Sequence, residues 1–160
     1  MRFWIDESLM PATCNIYFYK DGSFGLGPKM TENNIDFEID LISGGSIALL
    51  CSLVEKKCYC VQGYSWDLWK NLKNEKIDIT NAKDASLRFE LNNADAQEYG
   101  LLFDIKLKAT SFDRQSNLLL YGSFNSECSL FRFASGQYVY MLNDKITGLI
   151  IDISAVAEIL

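Results

Sequence analysis

Hydrophobic and polar residues alternate along most of this chain, and a period of two is the mark of half-buried strands. Arg2 to Asp6 forms a first short aromatic-apolar run. Asn15 to Lys20 is rich in strand formers and runs into Asp21-Gly22, a hairpin signal from which Phe24 to Leu26 returns. Ile35 to Leu41 reads IDFEIDL, which puts Ile35, Phe37, Ile39 and Leu41 on one face and Asp36, Glu38 and Asp40 on the other. After a Gly44-Gly45 turn, SIALLCSLV predicts a strand buried on both faces, and Lys56-Lys57 turns the chain into the strand CYCVQ.

The period changes once. From Tyr64 to Lys73, Ser65 is a suitable N-cap, and Trp66, Trp69 and Leu72 recur at helical spacing, so one short helix is expected there. Alternation then returns in KIDIT from Lys76, in SLRFEL from Ser86, and over Tyr99 to Thr110. Leu118 to Phe124, Cys128 to Phe133, Gln137 to Leu142 and Ile146 to Ile153 follow at short intervals and read as a meander, with a terminal helical turn in Ser154 to Leu160. The expected fold is mainly β, of the α+β kind: an antiparallel curved sheet or barrel-like meander of about ten strands with one helix against it.

Composition narrows this further. The chain has 160 residues, 49% of them hydrophobic and 22% charged, which suits a single globular domain over 1–160. At this size folding buries roughly 68 to 70% of the surface of the unfolded chain, so a core forms without disulfides or metal. There is no histidine, which removes the usual general base and the commonest metal ligand, and with them the ordinary serine and cysteine triads. Carboxylate, lysine, tyrosine and thiol chemistry remain.

The net charge of −6 repels phosphate backbones and anionic lipid heads, so neither nucleic acid nor membrane is expected as a direct partner. The charge is unevenly spread: Glu32, Asp36, Glu38 and Asp40 fall in a stretch without a basic residue, and a lysine-rich stretch follows it. Five cysteines, an odd number, and a start without a basic leader suit reduced thiols in the cytoplasm. Cys51, Cys58 and Cys60 could be imagined as soft metal ligands, but core packing is the better reading, and no cofactor or metal is expected.

Other motifs also weigh towards structure. Gly22, Gly25 and Gly27 lie between strands, where a phosphate cradle needs a strand-to-helix junction. Asp104 and Asp152 are the candidate acid and base of a glycoside hydrolase, yet nothing selects them as a pair. Trp66 with Tyr64 could anchor a partner or simply dock the helix. The most informative feature is the row Asp36, Glu38 and Asp40, with carboxylates about 7 Å apart along one strand face: either a solvated surface or a ridge that docks on a basic protein.

The acidic IDFEID strand, the aromatic GYSWDLWKNL segment and the lack of a catalytic constellation resemble, in layout, the small acidic bacterial immunity proteins that neutralise a neighbouring toxin, including those of contact-dependent growth inhibition. The resemblance implies a non-enzymatic protein whose acidic surface covers the cationic cleft of a toxin, often a nuclease. Asp36, Glu38 and Asp40 are then the electrostatic contact, with Tyr64 or Trp66 as anchor. The alternative is a small-molecule-binding β-barrel or a carboxylate-dependent enzyme.

Overall fold

A computed structural model describes residues 1–18, 24–27, 37–41, 47–63, 72–92, 105 and 107–159. These residues are mainly β, as the alternation predicts, and lie in three open sheets that do not close into a barrel. The first contains β1 (Arg2–Asp6), β4 (Phe37–Asp40), β5 (Ile47–Ser52), β6 (Lys57–Gly63) and β8 (Ser86–Glu90), in the order β1-β8-β6-β5-β4 with every pair antiparallel. All six residues of β5 are buried, as its unbroken apolar run predicts. The strand ends at Ser52, and Leu53 and Val54 project from the turn that follows.

The second sheet contains β7 (Lys83–Asp84), β9 (Ala109–Asp113), β10 (Leu118–Gly122), β11 (Ser129–Ala134), β12 (Gln137–Leu142) and β13 (Lys145–Asp152), in the order β7-β11-β12-β13-β10-β9. The expected meander is therefore a Greek key. Strands β11, β12 and β13 are joined by hairpins, and β10 lies beside β13 instead of beside the strand that follows it. Gly122, at φ +82°, ends β10 where a Cβ would stand 2.3 Å from the Thr147 carbonyl oxygen, so glycine is required at this corner. The third sheet joins both ends of the chain: β14 (Val156–Ile159) runs parallel to β2 (Asn15–Phe18), which pairs antiparallel with β3 (Phe24–Gly27). The predicted terminal helical turn is thus a 3-10 turn, Ile153–Ala155, followed by a strand.

The second sheet is buried on both faces. One face presents Leu119, Tyr121, Phe133, Val139, Leu149 and Ile151 to the main core, which they share with Leu49, Cys58, Leu87 and Phe89 of the first sheet. The opposite face presents Leu118, Leu120, Tyr138, Tyr140 and Ile150, and Ile77, Ile79 and Ala82 close over it. This explains why KIDIT is not the strand its pattern predicts. Ile77 is buried and Ile79 half-buried because the segment crosses the face of a sheet as a strap, without joining a ladder.

A strap without a ladder must satisfy its backbone elsewhere. Asp113, at the end of β9 and only 4% exposed, accepts the Ile77 N–H at 3.0 Å on one carboxylate oxygen and those of Gln115 and Ser116 on the other. Asp78 accepts the N–H and hydroxyl of Thr80 and so forms the strap's own turn. A second polar link joins the two large sheets: β8 pairs with β6 only at Lys57 and Cys58, and beyond them Gln137 of β12 accepts the Val61 N–H at 2.6 Å while its amide donates to the Cys14 sulfur.

The predicted helix from Tyr64 falls almost wholly outside the described residues. Its last two, Leu72 and Lys73, are not helical, and Lys73 bridges to Ser111 at the edge of β9. Most of the strand expected over Tyr99 to Thr110 also lies outside them, and β9 itself extends to Asp113.

The hydrogen bond from Ile77, and then those from Ser116 and Gln115, hold the Asp113 carboxyl below its ordinary pKa. A depressed folded-state pKa stabilises the fold above the unfolded value near 4, and that contribution is lost as pH falls from about 5 towards 2. Asp113→Ala is expected to lower stability by about 2 kcal/mol at pH 7, mainly through the buried Ile77 N–H. Urea unfolding across that acid range should show a flatter pH dependence for the variant than for the natural chain.

Candidate functional site

Two surfaces have the makings of a site. The first is β4, an end strand of its sheet among the described residues. Its only described ladder partner is β5, with Glu38 opposite Leu50 and Asp40 opposite Ala48. Glu38 is exposed while Ile39 beside it is fully buried, which is the alternation the sequence predicts. Asp40 is the last residue of the strand, and only its backbone is described. Asp36, Tyr64 and Trp66 lie outside the described residues. Of the predicted contact, therefore, Glu38 stands exposed and Asp40 follows at the next alternate position.

The second surface lies beside the strap. The connection from β10 to β11 leaves the sheet with the Ser123 N–H donated to the Thr147 carbonyl, and the Phe124 ring stacks on Tyr140 of β12 at 4.3 Å between centroids and 10° between planes. Phe124 is 50% exposed. Between this ring and the strap opens a cleft of about 350 Å³ whose rim includes Asp78, Asn81, Lys83, Asn125 and Ser129. A second cleft of about 330 Å³, on which Asp78, Lys76 and Asp152 also border, lies along Ile77 to Thr80. Asp78 therefore faces both.

Several described carboxyls are held below the ordinary carboxylate range. An acid–base pair for glycoside hydrolysis needs one carboxyl with a raised pKa. The Thr80 hydroxyl and N–H hold Asp78 low, the Ser111 hydroxyl and Lys73 hold Glu75 low, and Ser8 does the same for Asp6. Asp152, one of the two acids weighed for such a pair, accepts the N–H and hydroxyl of Ser154 and caps the 3-10 turn. Asp104, the other, lies outside the described residues.

The thiols behave as core residues. Cys14, Cys51, Cys58 and Cys60 are buried, and Cys128 is half-buried near Asn125 and Thr147. Burial pushes the Cys14 thiol up to about 12, and pushes Cys60 up as well. Among the described residues no group of three or more acidic or cysteine side chains could hold a metal ion. Nor is any helix among them long and apolar enough to cross a membrane.

Sequence reasoning overlooked Phe124 and Asp78 as site residues, because each was assigned to a regular strand. A lone aromatic residue in the polar connection Gly122-Ser-Phe-Asn-Ser-Glu127 was the available signal for the first. Comparison of the chain with protein-family models, with curated proteins and with solved structures finds no match.

Proposed function

We propose that this chain is a non-enzymatic binding protein that offers an acidic strand to a basic protein, in the manner of an immunity protein covering the cationic cleft of a toxin. The observation that carries the reading is Glu38, exposed within a strand that is the end strand of its sheet among the described residues, with acids two residues to either side in the sequence and an overall charge of −6. Strand β4 is hydrogen-bonded to the wholly buried β5, a stiff support for the exposed Glu38. Fixed, like-signed charge of this kind accelerates encounter with a positive surface and disfavours negative ones.

The test is charge reversal. Against a basic toxin domain encoded beside this chain, the Asp36→Lys, Glu38→Lys, Asp40→Lys variant should associate more slowly by about tenfold or more at low salt, with the gap narrowing as salt rises. It should also lose protection against the toxin's activity. Unchanged association and protection at low ionic strength would remove β4 from the reading.

A second reading rests on the exposed Phe124 ring at the mouth of its cleft. An apolar ring face with amide, hydroxyl, carboxylate and ammonium groups around it suits a small hydroxylated ring such as a sugar. On this reading native mass spectrometry detects a sugar added to the purified chain, and Phe124→Ala reduces its occupancy by about tenfold, the loss of one stacking contact. Equal occupancy in the two proteins would exclude the cleft.

A further inference from the structure

The hairpin of β5 and β6 sets two thiols against each other. Cys51 and Cys58 are register partners, both are fully buried, and their sulfur atoms are 3.1 Å apart. Directly opposed residues of an antiparallel pair have Cα atoms about 4.5 to 5.5 Å apart, which lies inside the roughly 4.4 to 6.8 Å spanned by disulfides. Register pairing with the sulfur atoms in contact thus places the two residues within reach of a disulfide bond.

We propose that Cys51 and Cys58 are an oxidisable dithiol, which closes to a disulfide across the hairpin when the chain meets a low-molecular-weight disulfide and reopens with a thiol reductant. One of the two, as thiolate, attacks a sulfur of the small disulfide and releases one small thiol. The other then attacks the mixed disulfide and releases the second. Two protein thiols are oxidised, one small disulfide is reduced to two thiols, and no other reactant is required.

The surroundings favour this pair over the other cysteines. The Cys14 sulfur faces the Gln137 amide and the Ser135 carbonyl, whereas the sulfurs of Cys51 and Cys58 face each other. Cys128 sits on the second sheet, against Asn125 and Thr147. At the hairpin end, by contrast, Val54 is 84% exposed and Lys56 takes a positive φ of 51°. Opening of these last rungs gives a reagent access without disturbing the rest of the sheet.

The experiment uses the full chain, fully reduced and then equilibrated with excess glutathione disulfide. Remaining thiols are alkylated after denaturation, and the protein is digested with trypsin. Cleavage at Lys56 and Lys57 separates the two cysteines, so a disulfide is read as a linked pair of peptides, and fragmentation decides between Cys58 and Cys60. The expected result is a Cys51–Cys58 link with three of the five cysteines still alkylated, and its loss after dithiothreitol. Cys60→Ser should retain the link, and thermal unfolding of the natural chain should shift upward on oxidation and back on reduction. Five alkylated cysteines, glutathione held on Cys128 without a link, or a link that excludes either Cys51 or Cys58 would each overturn the proposal. Because the link is read on the natural chain, the result does not depend on whether any variant folds.

Discussion

Burial of the second sheet on both faces is the constraint that arranges the rest of the molecule. A sheet with one wet face needs a single partner layer, but Leu118, Leu120, Tyr138, Tyr140 and Ile150 demand a cover opposite the main core. The chain supplies that cover with an irregular strap from Lys76 to Ala82 and with the connection that carries Phe124. Neither fits as closely as a second sheet would, and the clefts on which Asp78 borders are the gaps they leave. The cleft at Phe124 is thus a by-product of how the apolar face is closed.

Polar groups at the joins make this layering specific. Apolar surface alone would let the strap slide across the sheet, since hydrophobic contact has no direction. Asp113 removes that freedom by fixing the Ile77 N–H, and the Arg132 guanidinium fixes the strap's exit by gripping both oxygens of Asp84 at 2.7 and 2.5 Å. Gln137 does the corresponding work between the large sheets, where the Val61 N–H would otherwise be buried without a ladder partner. The outer edge of β11 is closed in the same way: β7 pairs along part of it, and Ala12 exchanges hydrogen bonds with Phe133 and Ser135. These contacts leave little open edge on that side for unwanted pairing.

What was legible in the sequence was whatever depends on local pattern. The two-sided burial of β5, the alternation of β8 and the paired strands β2 and β3 follow from runs of a few residues and from turn chemistry. What was not legible depends on where distant segments meet. Ile77 and Ile79 alternate for the same reason a strand's residues do, because one side of the chain faces apolar surface, and period alone does not separate a ladder from a strap. The Greek key is hidden likewise, since four strands with short connections permit either order. The parallel pairing of β14 with β2 joins residues from opposite ends of the chain, for which no local signal exists. At the candidate site, the exposure of Glu38 was readable from IDFEIDL, whereas the Phe124 cleft required knowing that Tyr140 would lie beneath that ring.

The acidic strand and the cysteine pair also bear on each other through β5. Phe37 of β4 is the register partner of Cys51, and Glu38 is that of Leu50, so the strand carrying the exposed acid is hydrogen-bonded to the strand carrying one of the thiols. A covalent bond from Cys51 to Cys58 would tie β5 to β6 at the point where their register shifts, between Leu50 and Cys51. Such an irregularity is where an antiparallel pair is least evenly bonded. Oxidation would therefore stiffen the rung on which β4 rests while leaving its charges untouched. Electrostatic attraction to a basic surface depends on charge and on its position, and a stiffer support holds the position with a smaller entropic cost on binding. On the proposed function, the redox state of the buried pair would then reach the contact strand through β5 alone.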